Sequence, residues 1–397
     1  MKAIVYLDNN ATTRVAPEVH DAMQPYLSDL YGNPSSAHTF GREMRRSVEL
    51  AREQVAQLLN AADAQEIVFT SCGTESDNWA IRGVLERQPR KRHIITTRVE
   101  HEAVRNLCAS LEKSGYEVTW LDVDEEGLLN LEDLRAALRP DTAIVSVMLA
   151  NNETGVLFPV EEIGEIVREH SEAVFHVDGV QAVGKIPINL SNAHVDLFAL
   201  SGHKFHAPKG VGALYVRSGL DLAPFLIGGG QERGRRAGTE AVPYIVALGE
   251  AAELARNFDG HETIRRLRDK LEDTILNTIP NARLNGTLER TRRLPNTANI
   301  SFEYIEGESI LAQLDEAGIA VSTGSACNAE SHVASAVLRA MNVPYTAAQG
   351  SIRFSTGRYN PESEIDYTLS LLPGIINQLA EMSPYDAELH ALKAKQA

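Results

Sequence analysis

The stretch Ala173-Val174-Phe175-His176-Val177-Asp178-Gly179-Val180-Gln181 decides how the rest of the chain is read. Residues 173–177 are mostly apolar, with two valines and a phenylalanine, which predicts a short strand buried on both faces. The run stops on a carboxylate and a glycine. A second run over 196–200 behaves in the same way and stops on Ser201-Gly202-His203-Lys204. Working outward, further strands are expected at 66–70, 93–97, 116–123, 142–150 and 212–216. Helical patterns over 74–86 and 100–114 separate the earlier ones. Seven buried runs with helices between them imply an α/β fold whose large domain carries a mostly parallel seven-stranded sheet.

Residues 228–239, rich in Gly and Arg, have the look of a functional loop, and a long helical section is expected over 241–277. The rhythm then changes. A strand at 297–303, a helix at 308–317, a small-residue loop at 322–328, a helix at 331–341, a strand at 352–355 and a helix at 361–380 predict a smaller α+β domain. The expected division is 15–257 for the large domain, and 1–14 with 258–397 for the small one.

The chain has 397 residues, 43% of them hydrophobic and 23% charged, as in an ordinary soluble globular protein. Its net charge of −16 speaks against a nucleic-acid partner. The apolar stretch at 3–7 is broken at once by Asp8, Asn9 and Asn10, so no signal peptide is expected. The longest apolar run, 143–150, is too short to cross a bilayer. Three widely spaced cysteines, Cys72, Cys108 and Cys327, fit a reducing cytoplasm better than a disulfide framework. No pair has zinc-ligand spacing.

In open α/β sheets ligands gather at the carboxyl ends of the strands. After 66–70 come Ser71-Cys72-Gly73-Thr74-Glu75. Gly73 lets backbone approach a ligand, and Thr74 could cap the next helix, whose start is an anion site; a plain cap fits as well. Asp178 could hold a protonated pyridine nitrogen, with Gln181 nearby, or could be a cap. Lys204, beside Ser201 and His203, could form a Schiff base, or could be a solvated lysine. The order Gly73-Thr74, His101, Asp178, Gln181, Lys204 is more specific than any one of these.

With these residues in view the chain resembles the fold-type I pyridoxal-phosphate enzymes, in particular the NifS/IscS-type cysteine desulfurases of the class V aminotransferase family. The resemblance rests on Tyr6-Leu7-Asp8-Asn9-Asn10-Ala11-Thr12-Thr13, Tyr31-Gly32-Asn33-Pro34-Ser35-Ser36, Asn151-Asn152-Glu153-Thr154-Gly155, Ser201-Gly202-His203-Lys204, Gly234-Arg235-Arg236-Ala237-Gly238-Thr239 and Gly324-Ser325-Ala326-Cys327. Leu294-Pro295-Asn296-Thr297-Ala298-Asn299, Phe302-Glu303-Tyr304-Ile305-Glu306-Gly307 and Ser383-Pro384-Tyr385 resemble the NifS branch. The chain departs from the family's pattern at His332-Val333-Ala334-Ser335, Gln349 and Thr356, which bears on loop anchoring and partner contact.

The resemblance implies pyridoxal 5′-phosphate on Lys204, which would also shuttle the α-proton. His101 would stack on the ring and assist proton transfer. Asp178 would pair with the pyridine nitrogen, and Gln181 would bond the phenolic oxygen. Gly73, Thr74, Ser201 and His203 would hold the phosphate, with Thr239 reaching in from the second subunit of a homodimer. Asn152 and Arg353 would bind the carboxylate of L-cysteine. Cys327, in a loop of small residues, would take the sulfur as a persulfide; Cys108 reads as core, and Cys72 lies near the cofactor without a catalytic role. The implied products are alanine and sulfur for a NifU/IscU-like iron–sulfur scaffold, nitrogenase maturation included. No metal is expected in the resting enzyme, although Cys327 would transiently contact the scaffold's cluster. No membrane or nucleic acid is expected among the partners. An aminotransferase or selenocysteine lyase of the same fold, a persulfide-relay protein and a catalytically dead fold are the rival readings.

Overall fold

The structure is a computed structural model that describes residues 4–323, 334–383 and 385. Its strands are β1 (Val5–Tyr6), β2 (Ile67–Thr70), β3 (His93–Thr97), β4 (Glu117–Leu121), β5 (Thr142–Met148), β6 (Val174–Asp178), β7 (Leu197–Ser201), β8 (Gly212–Val216), β9 (Ala282–Leu284), β10 (Thr297–Phe302), β11 (Ile319–Ala320), β12 (Ser322–Thr323) and β13 (Ser351–Ser355). Seven of them form one sheet in the order β2-β8-β7-β6-β5-β3-β4. Only β8 runs against its neighbours, so the sheet is mostly parallel.

The near-continuous apolar runs follow from burial on both faces. Every residue of β3, β5, β6, β7 and β8 is buried, whereas edge strand β4 is mostly half-buried. Alternate side chains feed two cores, Ile67 and Phe69 on one face and Val68 on the other. Helices Gly73–Arg87 and Glu102–Lys113 cover the second face with Trp79, Val84, Leu107 and Cys108. Helices Thr39–Leu58 and Val242–Arg256 pack on each other over the first.

The helical section expected over 241–277 is two helices, Val242–Arg256 and His261–Thr278. The intervening Asn257-Phe258-Asp259-Gly260 folds Phe258 edge-on against His261. A third core joins Leu267, Leu271 and Ile275 of the second helix to Ile300, Phe302, Ile352 and Phe354 of the sheet β12-β13-β10-β9. It also takes in Val5 and Leu7 from the start of the chain, where β1 pairs with β11. Of the helix expected at 331–341, the described part is Ala336–Ala340, capped by Ser335. Among the described residues no helix is long and apolar enough to cross a membrane.

The consequence for function lies in strand direction. Because β2, β3, β5, β6 and β7 all point the same way, the residues following them meet along one edge of the sheet.

Candidate active site

Each strand end supplies one wall. β2 runs through Ser71 and Cys72 into helix Gly73–Arg87. A Cβ on Gly73 would stand 2.6 Å from Val180 Cγ2, so only glycine lets these segments approach so closely. The cap expected at Thr74 is not formed: the helix begins at Gly73, and Cys72 occupies the capping position without a side-chain bond. The opening N–H groups of a helix have no partner within it, so this end favours an anion. β3 leads to His101, which caps the next helix itself, its Nδ1 accepting the Ala103 N–H at 3.2 Å. β5 leads to Asn152, β6 ends on Asp178, and β7 ends on Ser201.

These walls enclose a cavity of about 190 Å³. Gly73, Thr74, His101, Asn152, Asp178, Gln181, Ser201, His203 and Lys204 all line it. Two other expected residues are not in its wall. Thr239 is exposed on its loop. Arg353 lies behind Asn152, its Nη1 donating to the Asn152 carbonyl at 3.0 Å. Cys327 lies outside the described residues. Cys72 does line the cavity. Cys108 is fully buried, and burial pushes its thiol up to about 12, which makes it an inert core residue.

The polar groups here are short of partners. Ser201 Oγ and Asn152 Oδ1 are buried without a hydrogen bond among the described residues. Burial raises the pKa of Asp178; His101, the Val180 N–H (2.9 Å from Oδ1) and Lys204 oppose that rise. His101 opens onto the cavity, yet the protein around its ring lowers its pKa; Asp178 counters this and Lys204 adds to it. His203 is lowered to about 4, first by burial and then by Lys204, Lys209 and Lys185, so its ring is neutral at pH 7. Thr12 Oγ1 lies 3.1 Å from His203 Nδ1. With that hydroxyl as donor, the ring keeps an Nε2–H to give to an anion.

This donor set fits pyridoxal phosphate. The helix start, the Ser201 hydroxyl and His203 suit its phosphate. Asp178 is a buried carboxyl whose ionised form needs a cation, and a pyridinium nitrogen would supply one. The Lys204 amine stands in the same cavity, where Nζ donates to the carbonyls of Asn10 at 2.6 Å and Ala11 at 3.0 Å.

Two groups of this site were given no role from sequence. Asp77 lines the cavity, with Oδ1 3.5 Å from His176 Nε2. Asn10 meets Lys204, accepts from Gln181 Nε2 at 2.9 Å and from Lys185 Nζ at 2.9 Å, and donates to Thr297 Oγ1 at 2.9 Å. The one signal was the polar run Asp8-Asn9-Asn10, too hydrophilic for the strand that leads into it.

The profile of the Aminotransferase class-V family matches residues 5–368. A cysteine desulfurase of Nostoc sp. is 57% identical over 387 residues, covering 96% of this chain and 95% of its own. The cysteine desulfurase NifS of Azotobacter vinelandii is 52% identical over 385 residues, with 96% and 95% covered. A solved NifS-like protein superposes with a TM-score of 0.88 at 42% identity, over 95% of this chain and 100% of its own. The chain therefore belongs to the class-V aminotransferases, pyridoxal-phosphate enzymes of fold type I, and within them to the NifS-like cysteine desulfurases.

Proposed function

We propose that this enzyme takes sulfur from L-cysteine, leaving alanine, and carries that sulfur as a persulfide on Cys327. It works as a cytoplasmic homodimer and passes the sulfur to an iron–sulfur scaffold of the NifU/IscU kind, with nitrogenase maturation among its clients. The observation that supports this most is the convergence of Lys204, Asp178, Ser201 and His203 on one cavity in which Ser201 Oγ, Asn152 Oδ1 and Asp77 Oδ1 are buried without a hydrogen bond among the described residues.

When bound, pyridoxal phosphate supplies an aldehyde for the amine and a ring that draws electrons from the substrate Cα. Gly73, Thr74, Ser201 and His203 hold its phosphate, and the exposed Thr239 reaches the phosphate site of the second subunit. Asp178 keeps a proton on the ring nitrogen. Gln181 donates to the phenolic oxygen, and His101 covers the ring face. Arg353 and Asn152 hold the substrate carboxylate, the planar guanidinium matching its two oxygens. That grip aims the Cα–H at Lys204, which takes the proton and returns it. The Cys327 thiolate then attacks the substrate Sγ. An S–S bond forms, the Cβ–Sγ bond breaks, and the carbon keeps the electron pair and gains a proton to become alanine. We retain the division into 15–257, and 1–14 with 258–397, the second part bringing Cys327 to the cavity.

Cys327→Ala tests the reading. The variant should bind cofactor and still change its visible spectrum on adding cysteine. Sulfide release should fall by at least about 10²-fold, and no protein persulfide should form. Alanine and sulfide at the wild-type rate would remove Cys327 from the reaction. Borohydride reduction and peptide mapping of the same protein should find the phosphopyridoxyl label on Lys204.

A further inference from the structure

The geometry points to Asp8 as the residue that positions the substrate-carboxylate clamp. This inference rests on reading Arg353 as that clamp. Asp8 comes from the opposite end of the chain, and backbone pairing brings it to Arg353. After β1, the chain runs beside β13: Asp8 bridges Ser355, the Ser355 N–H donates to Leu7 O at 2.7 Å, and the Asn9 N–H donates to Ser355 O at 3.1 Å. Ser355 lies two residues beyond Arg353, so the two share one face of the strand. Asp8 is thereby fixed beside the guanidinium, and Arg353 Nη2 donates to its Oδ1 at 2.8 Å.

The donors of Arg353 are then divided. Nη2 is held by Asp8, Nη1 is held by the Asn152 carbonyl at 3.0 Å, and the buried Nε has no partner among the described residues. A guanidinium held at both Nη atoms cannot turn about its own axis. Of the five N–H donors of the guanidinium two are engaged in this way, and the others, the Nε–H among them, remain for an incoming carboxylate. Asn152 contributes both to this hold and to the cavity wall, so the clamp and the cavity share a wall. The pair is well shielded, with Arg353 11% and Asp8 18% exposed, so water competes weakly for the bond. Asp8 does not touch the reacting atoms. It acts through Arg353, and its effect belongs to substrate binding rather than to the proton and sulfur transfers.

A double-mutant cycle of D8A and R353A in the holoenzyme tests this. Three quantities are read: KM and kcat for cysteine, and the dissociation constant of L-alanine from the visible band. D8A should raise KM and the alanine constant about tenfold, as for a lost charge-assisted hydrogen bond, while kcat changes far less. D8A/R353A should bind no more weakly than R353A alone, since without the clamp Asp8 has nothing to position. Unchanged or tighter binding in D8A overturns the inference, as does additivity of the two changes. If R353A binds normally, the clamp reading itself falls, and the role of Asp8 falls with it. D8N keeps an oxygen for Nη2 and should lie between wild type and D8A. Should D8A not yield soluble protein, wild-type binding in D8N overturns the inference.

Discussion

Two buried sets of charge sit on the same sheet and are treated in opposite ways. Beside edge strand β2, Arg52 and Glu232 form a pair with both Nη atoms on both carboxylate oxygens at 2.8 Å. Arg52 also donates to the Ile67 carbonyl, and Glu232 accepts the Phe69 N–H at 3.0 Å. At the carboxyl edge, by contrast, Asp77, Glu100 and Asp178 are all buried with pKa values raised, first of all by burial. Asp77 Oδ1 and Glu100 Oε2 have no hydrogen bond among the described residues. A buried charge whose partners are all protein is part of the scaffold. A cluster left short of partners at the end of parallel strands marks the place that a ligand completes.

The largest effect that would sharpen this contrast is on stability. Arg52→Ala leaves Glu232 buried without its cation, and should lower the free energy of unfolding by about 3–5 kcal/mol. The measurement is a urea midpoint with the slope held in view, and a loss below about 1 kcal/mol would break the comparison. Next comes the reverse case. Asp178→Asn keeps an oxygen for the Val180 N–H and removes a charge that burial disfavours, so unfolding should not become easier. Sulfide release should nevertheless fall by about 10²-fold as ring-nitrogen protonation is lost. A variant that unfolds as readily as Arg52→Ala would place Asp178 with the scaffold.

The smallest effect, taken per unit of pH, is a slope. Burial pushes Glu100 up from 4.5 to about 8, and Asp178 adds to this; the Met148 N–H and Thr97 hydroxyl pull it back. Between pH 4.5 and about 8 the native state then holds a proton that the unfolded chain has already given up. Stability from this group is intact below that window and falls as pH rises through it. Glu100→Gln should flatten the fall, by up to about 1.4 kcal/mol per pH unit, in urea midpoints taken across the window. An unchanged slope would mean that Glu100 is ionised in the native state.

What could be read from the chain was whatever depends on near neighbours. Seven apolar runs announced seven strands, six of them fully buried, because burial on both faces leaves no room for polar alternation. Ser71 to Glu75, Asp178 and Ser201 to Lys204 stood out because each interrupts such a run at its carboxyl end. The break at 257–260 was harder to see, since Phe258 looks like one more core residue until it turns onto His261.

Tertiary structure alone decided the contacts that cross the chain. Nothing near Asp8 in sequence names Arg353, 345 residues away, as its partner. Nothing near Asn10 says that its carbonyl meets Lys204. The uncapped helix start at Cys72 became informative only when Val180 and Ser201 closed around Gly73. The physical reason is one of range. Propensity and hydrophobic period act over a few residues and determine which segments become strands and helices. A binding site is made where several strand ends converge, and that convergence is set by how the whole sheet pairs and packs.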